Sequence, residues 1–123
     1  MKLQLDSPTG QNVFTGYGNG YVKVNDQRYE RSLVVTPARI IEDWPAMGVD
    51  NLAASHFEFL LALNPEIVLL GTGATLHFPP PALSRCLTAA HVGLEVMDSH
   101  AACRTHNILA AEGRNVATAI LLG

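Results

Sequence analysis

A short segment after residue 98 carries four side chains of the kinds found in enzyme and ligand sites. His100, Cys103, Arg104 and Asn107 follow one another within eight positions. At about 100° per residue of α-helix, these side chains fall within an arc of roughly 100°. An imidazole three residues before a thiol can act as its base, and a guanidinium beside an amide can hold and orient an anion. The pattern is therefore compatible with a thiol nucleophile or with a small polar ligand site.

The same pattern also has an ordinary structural interpretation. The other side of the predicted helix holds smaller or apolar residues, which are Ala101, Ala102, Thr105, Ile108 and Leu109. That side is predicted to pack inward, so the polar side would simply face water. Asp98 or Ser99 would cap the helix start by accepting a backbone N–H. Glu112, in the last turn, either reaches water or pairs with an arginine, and no catalytic residue is assigned.

Two opposing effects decide whether Cys103 is reactive. A nucleophilic thiol must be accessible and ionised near neutral pH. Asp98 would raise the pKa of Cys103, whereas Arg104 and the positive end of the helix would lower it. Because the helix effect fades beyond the first turn, the sequence predicts a nearly ordinary thiol pKa and no cysteine-based catalysis.

The second candidate segment is Gly71-Thr72-Gly73, which directly follows the apolar run 67–70. Its glycines would either present backbone N–H groups to an anion or only permit a sharp turn. Ligands of parallel sheets bind beyond the carboxyl ends of the strands, where this loop and the segment after Met97 should meet. The candidate ligand-binding residues are accordingly Gly71, Thr72, Gly73, Asp98, Cys103, Arg104, Asn107 and Glu112.

The elements that must position these residues follow from hydrophobic periodicity. Apolar runs at 67–70, 94–97 and 116–122 predict strands of one sheet, and segments 51–63, 81–91 and 99–112 predict helices. The first third predicts a β-ribbon with strands at 21–24, 27–29 and 32–36, preceded by a glycine-rich turn or bulge at 16–20. The chain is thus predicted to be a single α/β domain over residues 1–123, with three layers and a mixed, largely parallel central sheet.

Composition excludes several classes of function. The 123 residues are 48% hydrophobic and 15% charged, which excludes a disordered chain. The net charge is -3 and no Lys/Arg cluster appears, so nucleic-acid binding is not predicted. The apolar runs are too short for membrane insertion, and no extended apolar leader is visible. Cys86 and Cys103 lack metal-ligand spacing, so they are predicted to be free thiols of a cytoplasmic protein without metal or cofactor.

Several of these segments together resemble a known family. The matching positions are Gly16-Tyr17-Gly18, Tyr29 with Ser32, Trp44, the run from Glu66 to Gly73, and above all the run from Val96 to Asn107 with Ala111 to Arg114. From about Leu5 to Leu122 the chain resembles the Mth-type family of domains of unknown function. That family includes small bacterial and archaeal proteins, a mitochondrial assembly factor for respiratory complex I and an adipogenesis-associated human protein. The resemblance implies a three-layer fold with a mixed sheet and a β-ribbon, and no established reaction.

Two hypotheses for function remain. The first is a non-enzymatic binding or assembly-factor-like module with a protein partner. The second is a small-molecule enzyme or sensor that holds a small anionic ligand between 71–73 and 98–107. A deep pocket with convergent polar groups near Arg104 would favour the second hypothesis. The sequence specifies neither a named partner nor an oligomeric state.

Overall fold

A computed structural model describes residues 10–122 of the chain. Its α-helices are α1 (Ala54–Leu61), α2 (Arg85–Ala89) and α3 (Ser99–Ala111), and two short 3-10 helices cover Val49–Asn51 and Pro81–Ser84. Its strands are β1 (Phe14–Gly18), β2 (Tyr21–Val24), β3 (Gln27–Tyr29), β4 (Leu33–Val35), β5 (Ile40–Ile41), β6 (Ile67–Gly71), β7 (Gly93–Met97) and β8 (Val116–Ile120).

The strands form two sheets, of which the larger has the order β5-β4-β8-β6-β7. In it, β6 pairs in parallel with β7 and with β8, whereas β4 pairs antiparallel with β5 and with β8. The predicted strands at 67–70, 94–97 and 116–122 therefore do share one sheet. Strand β8 ends at Ile120. Leu121 N still donates to Gly71 O of β6 at 2.9 Å, whereas Leu122 N leaves the ladder and donates to Ser32 Oγ at 2.8 Å.

The smaller sheet has the antiparallel order β1-β2-β3 and contains the predicted strands 21–24 and 27–29, whereas the predicted strand at 32–36 is β4 of the larger sheet. Asn25 and Asp26 join β2 to β3 with φ of 53° and 69°, as a tight hairpin turn requires. The pairing of β1 with β2 shifts register between Phe14 and Gly16, so a bulge lies just before the glycine-rich segment 16–20, which itself contains the turn between the two strands. The α/β class, the mixed sheet and the N-terminal β-structure are all confirmed.

Helices cover both faces of the larger sheet. Because side chains of a strand alternate, Val68 and Leu70 face a core shared with α1 and α2, which contribute Phe57 and Leu87. On the opposite face, Leu33, Val35 and Ile120 pack with Ala102 and Cys103 of α3, and with Phe14, Val22 and Val24 of the smaller sheet. Helix α3 thus lies between the two sheets.

Two predicted helices are shorter than expected. The segment 51–63 is helical only over α1, which begins where His56 Nδ1 accepts the backbone N–H of Ala53 at 3.0 Å. The segment 81–91 divides into a 3-10 turn and the five-residue α2. Within residues 10–122, no helix has both the length and the apolar character needed to cross a membrane.

Candidate functional site

The loop after β6 and the start of α3 meet at the carboxyl ends of the parallel strands, as predicted. Gly73 N donates to Ser99 Oγ at 2.8 Å, and Ser99 N donates to Gly73 O at 2.9 Å. Thr72 N donates to Met97 O at 2.9 Å. The N–H groups of Thr72 and Gly73 are therefore used inside the protein, where they join the loop after β6 to β7 and to α3.

Gly71 is required by close packing at this junction. A Cβ built on Gly71 would lie 3.0 Å from the Cα and the Oγ of Ser99, and 3.0 Å from Ile120 Cδ1. Ser99 Cα belongs to the backbone of α3 and cannot rotate away. The missing side chain of Gly71 therefore lets the first turn of α3 rest directly on the end of β6.

Replacing Gly71 by alanine is expected to lower the free energy of unfolding by about 1–3 kcal/mol, the usual cost of overpacking. The matched control is Gly48→Ala, because a Cβ at Gly48 has open space around it. Urea unfolding followed by circular dichroism measures both variants. Equal midpoints for Gly71→Ala and the native chain would show that α3 does not rest on β6 as described.

Thr72 and Asp98 also make local bonds. The hydroxyl of Thr72 donates to Thr75 O at 2.8 Å and accepts the backbone N–H of His77 at 3.1 Å, which folds the loop after β6 back on itself. Asp98 caps α3, and its Oδ1 accepts Ala101 N at 2.9 Å. Both residues stabilise the strand-end turns from which any ligand site would be built.

The prediction of which side of α3 packs inward is wrong. Ile108 is 59% exposed, whereas Cys103 and His106 are buried together with Ser99, Ala102 and Ala110. The buried residues recur at intervals of three and four, so they form a regular helical stripe. This stripe faces β6, β8 and β1 at once, and its polar members hydrogen-bond or pack within the core. The sequence pattern predicted the opposite side because Ile108 and Leu109 are more hydrophobic than a histidine or a cysteine.

Cys103 is a core residue rather than an accessible thiol. It is 1% exposed, and burial raises its pKa to about 12, against the lowering effect of nearby Arg104 and with a small raising effect of Asp98. The prediction of a nearly ordinary pKa for Cys103 is therefore wrong. The raised pKa keeps the thiol protonated at neutral pH. His100 points elsewhere, with its ring stacked on Tyr17 at 4.2 Å between centroids.

Asn107 ties α3 to the smaller sheet. Its Oδ1 accepts Phe14 N at 2.9 Å, and its Nδ2 donates to Phe14 O at 2.7 Å. The amide thus bonds to the backbone of β1 as a neighbouring strand would. Beside it in the helix, the buried ring of His106 lies 2.7 Å from Thr118 Oγ1 and 3.2 Å from Asn12 O.

Arg104 has a partner that the sequence did not suggest. Its Nη1 donates to the hydroxyl of Tyr17 at 3.1 Å, and this bond is the main reason that the pKa of Arg104 is raised. Asp98 contributes only a weaker electrostatic effect on Arg104. Glu112 lies exposed at the other end of the helix, about 12 Å further along its axis, so it is not the partner of Arg104. Tyr17, His100 and Arg104 form a polar and aromatic cluster on the surface, here called the Tyr17 cluster.

Three clefts surround the strand ends. The first has a volume of about 340 Å³ and lies between the β1–β2 turn at 18–20, Gly73 and the start of α3 at Ser99 and His100. The second, of about 360 Å³, is lined by residues 30–32 and 42–47. The third, of about 370 Å³, lies between Thr72, His77 and Phe78 on one side and residues 48–51 on the other. In residues 10–122, no group of three or more histidine, cysteine, aspartate or glutamate residues is placed to hold a metal ion.

A family model described as a protein of unknown function (DUF498/DUF598) matches residues 14–121, from the first strand to just beyond the last. The chain belongs to this family. A solved structure from Bordetella parapertussis aligns with a TM-score of 0.87 and 40% identity, covering 94% of this chain and 98% of that one. A Bordetella pertussis structure described as a Mth938-like domain aligns with a TM-score of 0.83 and 34% identity, covering 99% and 92% of the two chains. The resemblance seen in the sequence is thereby confirmed.

Two curated relatives of this DUF498 chain carry names that bear on function. A Francisella tularensis protein named 13 kDa major membrane protein is 30% identical over 122 residues, which cover 98% of this chain and 99% of the relative. A bovine protein named NADH dehydrogenase (ubiquinone) 1 alpha subcomplex assembly factor 3 is 28% identical over 97% of this chain. The alignment spans 65% of the length of the bovine protein.

Proposed function

We propose that this DUF498 protein is a non-enzymatic binding module that holds another protein while a larger complex is assembled. The proposal is supported by the hydrogen-bond partners of the polar side chains of α3, which lie within the protein itself. Ser99, Asn107 and His106 bond to the protein's own backbone or to a neighbouring side chain, and Cys103 is buried. Residues that suggested chemistry in the sequence instead hold the two sheets and α3 together.

The names of relatives give independent support. The bovine relative is named as an assembly factor, and the same name is given to a Drosophila melanogaster relative that is 29% identical over 89% of this chain. An assembly factor acts by binding proteins, so its activity depends on a surface rather than on a reactive group. The two cysteines are unpaired, which agrees with a reducing compartment such as the cytoplasm.

The proposal is tested by recovering the tagged full chain from extracts of cells that express it naturally. The expected result is a protein that elutes with the chain at fixed stoichiometry in size-exclusion chromatography and is identified by mass spectrometry. The control is the same chain unfolded in urea and bound to the same resin. Recovery of the folded chain with a small molecule and without any protein would contradict the assembly role.

A second candidate function is the binding of a small anionic ligand in the cleft between the β1–β2 turn and α3. The cleft contains the first turn of a 13-residue helix, where backbone dipoles favour negative charge, and His100 lines it. In the Tyr17 cluster, His100 and the guanidinium of Arg104 both contact Tyr17, at the rim of this helix start. The same recovery experiment separates the two functions, because mass spectrometry detects both proteins and small molecules.

A further inference from the structure

Three large apolar side chains are exposed on loops at the carboxyl ends of the strands. Met47 is 68% exposed, Phe78 is 71% exposed and Leu76 is 48% exposed. Leu76 and Phe78 lie in the loop after β6, and Met47 lies in the loop after β5. Exposed apolar groups that cluster at one end of a protein commonly mark an interaction site.

Two of these side chains, Met47 and Phe78, line neighbouring clefts. Phe78 shares a cleft with residues 48–51, and Met47, the next residue in the chain, lines the neighbouring cleft with Glu42 and Asp43. We call residues 42–43, 47–51 and 76–78 the strand-end surface. The acidic pair at 42–43 and Phe78 therefore belong to neighbouring clefts, which are lined by the consecutive residues Met47 and Gly48.

The apolar groups are held outward by buried neighbours. Trp44 and Ala46 are 3% and 2% exposed, so the backbone on the amino-terminal side of Met47 is anchored in the core. Pro79, directly after Phe78, is also buried. The backbone is therefore anchored on one side of Met47 and on one side of Phe78, so these two segments need little reordering when they are covered, which favours binding.

The charge of this surface is negative. Glu42, Asp43 and Asp50 are exposed and form no ion pair within residues 10–122. Glu30, which lines the same cleft as Met47, is paired with Arg28 at 2.7 Å. Arg31 is the cation that accompanies these groups in that cleft. Three free carboxylates against one guanidinium leave the lining of these two clefts with a net negative charge.

We propose that the strand-end surface binds a segment of another protein in which apolar side chains are flanked by lysine or arginine. This inference rests on the proposed function, for which it names the surface and the chemistry of the partner. Phe78 and Met47 supply apolar contacts in the clefts, and the carboxylates at 42, 43 and 50 attract the basic flanks. A membrane surface rich in anionic lipid is negatively charged and would be repelled by these carboxylates. Binding to such a membrane alone would therefore contradict the proposal.

The test uses nuclear magnetic resonance of the full chain labelled with ¹⁵N. The probes are a synthetic amphipathic peptide of leucine and lysine, a matched peptide with glutamate in place of lysine, and vesicles of phosphatidylglycerol. The lysine peptide is expected to shift the amide signals of residues 47–51 and 76–78. It is expected to bind at least about tenfold more tightly than the glutamate peptide, and raising the salt concentration should narrow that difference.

Two variants locate the binding. Phe78→Ser is expected to weaken binding of the lysine peptide by at least about tenfold, and the double variant Glu42→Gln, Asp43→Asn should reduce the preference for lysine over glutamate. The matched control is Ile108→Ser, because Ile108 is similarly exposed at 59% but lies on the outer side of α3. The thermal midpoints of all variants should be close to that of the native chain, since these substitutions are at exposed positions.

Several results would overturn the inference. Equal affinity for the two peptides, no binding of either peptide, shifts confined to α3, or binding of the vesicles alone would each contradict it. If the native chain and Phe78→Ser retain the same protein from extract, the surface is wrong while the assembly role stands. If neither retains a protein, the assembly role itself fails.

Discussion

Acidification from pH 7 to pH 4 is expected to lower the free energy of unfolding by about 3 kcal/mol through His106 alone. Burial lowers the pKa of His106 from its ordinary value of 6.5 to about 4, against a smaller raising effect of its hydrogen bond to the Asn12 backbone. Between these two values, the unfolded chain binds a proton that the folded chain excludes. Stability therefore rises with pH across this window and is lost as pH falls through it.

The contacts of His106 explain why the neutral ring is preferred. Asn12 O can only accept a hydrogen bond, so Nε2 at 3.2 Å must be the protonated nitrogen of the neutral ring. Nδ1 then accepts from the hydroxyl of Thr118 at 2.7 Å. A second proton would place a charge in a site with no solvent exposure, edge-on to the ring of Phe14.

Urea unfolding at a series of pH values measures this effect. His106→Phe should be less stable at pH 7, because Thr118 and Asn12 lose a partner, but its stability should change less between about pH 6.5 and pH 5. The control is His77→Gln, which removes an exposed histidine and should keep the native slope. The pKa of Glu66 is lowered by hydrogen bonds from Asn115 and Arg114, so its contribution is lost only below its ordinary value of 4.5. An unchanged slope in His106→Phe would contradict the assignment.

Replacing Asn107 by alanine is expected to lower the free energy of unfolding by about 2–4 kcal/mol. The substitution removes two hydrogen bonds and leaves both backbone groups of Phe14 without these partners. Phe14 is 6% exposed, so water cannot easily replace the lost amide. The same change should loosen the smaller sheet and speed hydrogen exchange of the β1 and β2 amides more than those of β6.

Aspartate at the same position gives a sharper test of the two-bond geometry. In Asn107→Asp the new carboxylate would still accept Phe14 N, but its second oxygen would face the carbonyl oxygen of Phe14. This variant should therefore be destabilised relative to the native chain at pH 7, and the difference should shrink at low pH, where a protonated carboxyl donates. The control is Asn51→Ala, at an exposed position, which should change stability by about 0.5 kcal/mol or less. Equal losses for Asn107→Ala and Asn51→Ala would contradict the bond to β1.

Local patterns in the sequence predicted the elements but not the contacts between distant ones. Continuous apolar runs marked β6, β7 and β8, and the Asn25–Asp26 pair marked the turn of the hairpin, because both signals are carried by neighbouring residues. The partners of Asn107 and Arg104 are 93 and 87 residues away in the chain. No spacing rule connects positions so far apart, so these contacts required the structure.

The sequence predicted which two loops meet at the strand ends, but not which contacts their side chains make. The carboxyl ends of β6 and β7 do bring Gly71–Gly73 and Asp98–Ser99 together, since parallel strands end on the same edge of a sheet. The orientation of α3 was missed because a buried histidine and cysteine look like surface chemistry in a one-dimensional pattern. Met47, Leu76 and Phe78 gave no signal either, because an apolar residue in a loop is expected to be covered.

The position of β8 has a consequence for how the chain folds during synthesis. Among the described strands β8 is the last to be made, yet it lies in the middle of the larger sheet, between β4 and β6. Until residues 116–120 emerge, the β4–β5 pair and the β6–β7 pair each keep an open inner edge that can recruit strands of other chains. Two of the four strand pairings of the larger sheet therefore form late and between distant segments, which predicts slow folding and a need for protection of the nascent chain.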